Sequence, residues 1–112
     1  MALKDIDPGK LAKDIIASFS TTLKTKWSDV GPIAKGEAQK LVQTMLTAEE
    51  LRLKGKLTDE GAQALLDIQR SSTRVALLTV KGLELLAVES AINAALDTVK
   101  TTVNTAIGFS LI

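Results

Sequence analysis

The sequence predicts an all-α protein, an antiparallel helical bundle of about four helices in a single domain spanning residues 1–112. Three observations carry that expectation. Apolar residues make up 46% of the chain and charged residues 24%, which is enough apolar content for a packed core and argues against disorder. Aromatics are only 3% (Phe19, Trp27 and Phe109), so the core must be built from Leu, Ile, Val and Ala, a composition that suits helices better than sheets. Finally, apolar residues recur at spacings of three and four along most of the length.

The first helix opens at Asp7-Pro8, with an Asp at the N-cap and Pro at the first helical position. Ala12, Ile15, Ile16, Phe19, Leu23, Trp27 and Val30 then form one apolar stripe, with Lys10, Lys13, Asp14, Thr21, Lys24 and Asp29 opposite. Gly31-Pro32 is expected to end this helix and open the next. Trp27 continues the stripe and reads as a core anchor.

A second helix is expected from about Pro32 to Lys54, with Ala34, Ala38, Leu41, Val42, Met45, Leu46 and Leu53 on its apolar side. Thr47-Ala48-Glu49-Glu50 has the spacing of a capping box, which would allow a restart at Thr47. No Gly or Pro breaks the chain there, so an uninterrupted helix with Glu49 and Glu50 in water is favoured. Glu50 and Lys54 stand at i,i+4, a pair worth about 0.2–0.5 kcal/mol.

Lys54 to Glu60 is a connector. Gly55 can take a left-handed cap, and Thr58 can cap the next helix with acids in its first turn. From there to Ile107 no Pro occurs. One helix of about 50 residues would be about 75 Å long. The pattern argues against it. If residues 59–107 were one straight helix, Asp59, Gln63, Asp67, Arg70, Arg74, Lys81 and Glu84 would form a polar stripe, with Leu65, Ile68, Val75 and Ala76 opposite. Beyond residue 85 the polar side becomes apolar through Leu85, Val88, Ile92, Leu96, Val99 and Val103. Helical drift of about 20° per heptad cannot exchange faces within one turn. A break or kink near Gly82 resolves this, giving a third helix over about 58–80 and a fourth over about 83–107. The alternative is three helices, the last one long and projecting at its C-terminal end. The last stretch, Thr98 to Ile112, is rich in Thr, Val and Ile and is expected to be frayed helix followed by an apolar tail.

Charge and composition exclude several function classes. Net charge is +1, and the first 54 residues carry 9 basic and 7 acidic groups against 5 and 6 in the remainder. Neither half has the field to draw nucleic acid. Lys4, Lys10, Lys13, Lys24 and Lys26 form a mild basic cluster without interleaved aromatics and read as a solvated face. There is no Cys and no His, which removes thiolate chemistry, the usual general base and the usual metal ligand. The adjacent acids Asp59/Glu60 and Glu49/Glu50 point about 100° apart on a helix and do not converge on one atom. Gly55, Gly61 and Gly82 stand alone and make no phosphate loop. No catalytic site, cofactor, metal or small-molecule substrate is expected. The N-terminus is too charged for a secretory signal, which leaves the cytoplasm as the default compartment.

What the sequence offers instead is apolar surface. From Val75 to Ile112 there are five charges: Lys81, Glu84, Glu89, Asp97 and Lys100. Within the apolar segment 83–112, Leu85, Val88, Ala91, Ile92, Ala95, Leu96, Val99 and Val103 form a face expected to meet another copy or a protein partner. Beside it runs a row of small residues, Ala87, Ala91, Ala94, Ala95 and Thr98, that lets two helices approach closely, either within the chain or between copies. The expected function is a non-enzymatic assembly or interaction module, a homo-oligomer or the binder of a protein partner. The alternative is association with a membrane through the C-terminal amphipathic segment, which lacks the Lys/Arg-rich face usual for that role.

Overall fold

The computed structural model describes residues 2–112, with Lys4 described in its backbone alone. Met1 and the Lys4 side chain, the latter part of the expected basic cluster, lie outside the description. Four helices form the molecule: α1 (Pro8–Thr22), α2 (Trp27–Leu53), α3 (Asp59–Leu78) and α4 (Leu85–Ile107). Short 3-10 turns at Leu3–Asp5 and Lys24–Lys26 precede α1 and α2. Each helix runs antiparallel to the one before. Cross-links fix this: Glu37 on α2 meets Thr73 on α3, while Arg52 pairs with Asp59. Arg70 donates to Asn93 and Arg74 to Glu89 between α3 and α4. The bundle closes where α1 packs along α4. At about 1.5 Å per residue α2 is roughly 40 Å long, and it spans the 42 Å long axis of the molecule.

α1 begins as expected. The Asp7 carboxylate accepts from the Gly9 N–H at 2.9 Å, and Pro8 costs nothing at a position whose N–H is unpaired anyway. Leu11, Ile15 and Phe19 form its buried row. Burying each side chain of this kind is worth roughly 1.5–3 kcal/mol. The helix then stops at Thr22, well before Gly31-Pro32, which corrects the expected boundary. A hydroxyl-rich run, Ser18, Ser20, Thr21, Thr22 and Thr25, spans this end. Thr21 and Thr22 turn their hydroxyls onto the carbonyls of Ala17 and Ser18, at 3.0 and 2.9 Å. Such back-bonding weakens a helix and favours its end. Leu23 still reaches the core from the turn, so the apolar spacing runs on unbroken across the break. Pro32 instead lies inside α2, as its sixth residue. It leaves only the carbonyl of Ser28 without its helical donor, and Ser28 is exposed to water.

Trp27 packs against the core from its edge and does not sit at its centre. It opens α2 half-buried, its ring lying against Gly31, where an added Cβ would come within 3.4 Å of it. Phe19, with no exposed surface, holds that place. α2 runs without interruption through Thr47 to Leu53. Glu50 is in water and pairs with Lys54 at 2.9 Å. Glu49 is buried, contrary to expectation, because the N-terminal segment folds over it: its carboxylate accepts the Leu3 N–H at 2.9 Å. Leu3 itself is fully buried beside it.

The connectors follow the sequence closely. Gly55 has φ +72, and the Thr58 hydroxyl caps α3 by accepting from the Gly61 N–H at 3.0 Å. α3 ends at Leu78, and Gly82 turns the chain at φ +91, a backbone region costly for any residue with a Cβ. The long projecting helix is thereby excluded. The tail past Ile107 is held rather than frayed. Gly108 caps α4 at φ +83, and the Asn104 side-chain oxygen Oδ1 accepts from the N–H groups of Leu111 and Ile112 at 2.9 and 3.1 Å. Leu111 is buried, and the Phe109 ring lies 4.4 Å from the Arg52 guanidinium.

Candidate interaction surface

α4 carries the residues expected to meet a partner, and the fold turns them inward. Val88, Ala91, Ile92, Ala95, Leu96, Val99 and Val103 are each at most 4% exposed within a single chain. Only Leu85, at the start of the helix, keeps half its surface. The expected docking face is therefore core. α1 covers it, and the small side chains Ala91 and Ala95 are what allow that approach. The same inward turn occupies the amphipathic face on which the membrane alternative depended. No helix among the described residues is long and apolar enough to cross a membrane.

The apolar surface that remains lies elsewhere. Among the described residues, the large apolar side chains left exposed are Leu53, Ile68, Val75, Leu78, Leu85 and Leu86. Leu53 ends α2. The other five belong to α3 and the first turn of α4. Ile68 and Val75 retain 67% and 66% of their surface. The sequence pattern placed both inside, so this is a further correction. α3 instead buries Ala62, Leu66, Thr73 and Leu77. Two polar contacts help select that face. The Thr73 hydroxyl donates to the buried Glu37 carboxylate at 3.0 Å, which gives both groups a partner. On one flank, Arg70 and Arg74 reach across to Asn93 and Glu89 of α4.

On an α-helix, residues at i, i+4, i+7, i+11 and i+14 share one side. Ala64, Ile68, Ser71, Val75 and Leu78 stand at those positions, all exposed and none charged. This stripe lies diametrically opposite the row Ala62, Leu66, Thr73 and Leu77. Charge is confined to one flank of it, where Glu60, Asp67 and Arg74 follow at intervals of seven. The opposite flank is Leu65, Ser72 and Thr79, with no charge.

The titratable groups inside the bundle are committed to structure. Glu37 takes the Thr73 hydroxyl on one oxygen and Lys40 on the other, at 3.1 Å, and Glu49 takes the Leu3 N–H. No group of three or more acidic side chains among the described residues could hold a metal ion. No protein-family model, no curated protein and no solved structure matches this chain.

Proposed function

We propose that this chain is a non-enzymatic association module that works by presenting the α3–α4 hairpin to another polypeptide. The observation that carries the reading is the concentration of exposed apolar surface on that hairpin: Ile68, Val75, Leu78, Leu85 and Leu86, against a single such residue elsewhere among those described. Exposed apolar residues scattered singly need no explanation, whereas their concentration on one hairpin, beside polar residues, is the mark of an interaction site. The commitment of Glu37 and Glu49 to internal partners fits a structural rather than a chemical use of the core.

Site-directed photo-crosslinking tests this. A photoreactive residue replacing Ile68 is expected to give a covalent protein adduct in the cells that make the chain, while the same residue replacing the exposed Lys24 gives none. Folded protein that forms no adduct through position 68 would overturn the proposal.

A further inference from the structure

We infer that α3 pairs with α3 of a second copy of this chain, antiparallel and in one register. The inference rests on the association role proposed above and names the partner. Positions 64, 68, 71, 75 and 78 are spaced four, three, four and three, the repeat of a two-helix seam. Ala64 to Leu78 spans about 21 Å at 1.5 Å per residue. Beside that seam, Glu60, Asp67 and Arg74 occupy successive equivalent positions of the seven-residue repeat, the same flank throughout. The charge on that flank changes sign along the helix, acidic at the N-terminal end and basic at the C-terminal end. Lys81, in the turn that follows, adds to the basic end.

That order determines orientation. In an antiparallel pair the charged flank of one helix meets the charged flank of the other, running the opposite way. Acid then faces base at both ends of the contact. In a parallel pair the charged flank would face Leu65, Ser72 and Thr79, which offer no charge. The favoured orientation is thus self-complementary, as a two-fold dimer requires.

The same order determines register. With Asp67 beside Arg74 of the partner subunit, and by symmetry Arg74 beside Asp67 of the partner subunit, Ile68 falls opposite Ser71 of the partner subunit. Val75 falls opposite Ala64 of the partner subunit. Each large side chain meets a small one, which is how two helix surfaces interlock. Sliding by one heptad in one direction sets Arg74 against Arg74 of the partner subunit. Sliding in the other sets Asp67 against Asp67 of the partner subunit. Either slip keeps two attractive contacts, Asp67 with Lys81 of the partner subunit or Glu60 with Arg74 of the partner subunit, but adds a like-charge one, against four attractive contacts in the first register, which is therefore favoured. A seam this short falls in the class of weak, transient interfaces below about 1,200 Å². The dimer is accordingly expected to form at high protein concentration and to loosen with salt.

Sedimentation equilibrium of the purified full chain at low ionic strength tests the inference, with Asp67→Arg, Arg74→Asp and the combined exchange Asp67→Arg/Arg74→Asp. Each single reversal turns two attractive contacts into two repulsive ones and is expected to weaken dimerisation about tenfold, given about 0.2–1 kcal/mol per exposed pair. The combined exchange restores attraction and is expected to recover the dimer. Arg74 also touches Glu89 at 3.4 Å and the Ser71 hydroxyl at 3.1 Å, so melting curves accompany every variant. If Arg74→Asp unfolds, Asp67→Arg against Asp67→Asn decides: the exposed Asp67 tolerates both, and the reversal must weaken the dimer more than the neutral change. A strictly monomeric chain overturns the inference, as does a dimer indifferent to the reversals or one the exchange does not rescue. A monomer that still cross-links through position 68 to a different protein overturns this inference alone. The absence of any adduct overturns the association role itself.

Discussion

α4 is the more apolar of the two C-terminal helices, yet it hides its apolar face. α3 is the more polar of the two, yet it leaves two large β-branched side chains in water. The contrast teaches that total apolar content does not choose a docking face. What chooses it is how many neighbours the bundle supplies on each side of a helix. α4 lies along α1 over most of its length, so its row from Val88 to Val103 is fully covered. α3 packs mainly on α2, with a lighter contact to α4, and its far side has no neighbour. Once Ala62, Leu66, Thr73 and Leu77 are taken into the core, Ile68 and Val75 are left on the far side.

Truncating the inner row should be the most damaging change. Leu96→Ala, at a side chain 1% exposed, is expected to cost about 2–5 kcal/mol in urea unfolding, through lost burial and the cavity left behind. A loss below 1 kcal/mol would mean that α4 is loosely packed and the contrast with α3 is false. Glu49→Ala leaves the buried Leu3 N–H without an acceptor and should cost about 1–3 kcal/mol. Glu49→Gln, which keeps a carbonyl oxygen in place, should recover most of it in the same titration. At the joint between the two helices, Gly82→Ala forces a Cβ onto a backbone at φ +91 and should cost about 1–2 kcal/mol. The new Cβ would also displace the Lys26 ammonium, 2.7 Å away, a flexible end that can move at little cost. On the outer row, Ile68→Ser should change the stability of dilute protein by no more than about 0.5 kcal/mol. A large loss there would put Ile68 in the core after all.

Much of this architecture was legible in the residues. Asp7-Pro8, Gly55, Thr58 and Gly82 act locally, through caps and positive-φ turns, and each sits where its chemistry places it. The exchange of faces near Gly82 was visible because burial requires a continuous stripe, and no single helix could supply one. One hidden feature, the end of α1, was masked because Leu23, Trp27 and Val30 keep helical spacing across a real break. The buried face of α3 was masked because apolar residues lie on both its sides, so a distant partner, Glu37, helps to decide between them. The N-terminal segment was masked because Leu3 and Glu49 meet across 46 positions of sequence. The burial of the α4 row from Val88 to Val103 was hidden for the same reason as the face of α3: periodicity identifies a stripe but not which neighbour will cover it.

The contact between α1 and α4 has a kinetic consequence. The other main helix pairings, α1 with α2, α2 with α3 and α3 with α4, join neighbours in the chain and can form as hairpins. This one unites the first helix with the last, so loop-closure entropy must be met across most of the polypeptide before the bundle seals. A nascent chain that has released only its first three helices holds α1 against one flank instead of two. Its row of Leu11, Ile15 and Phe19 then has only α2 among the long helices to pack on, so the bundle closes only when α1 and α4 meet.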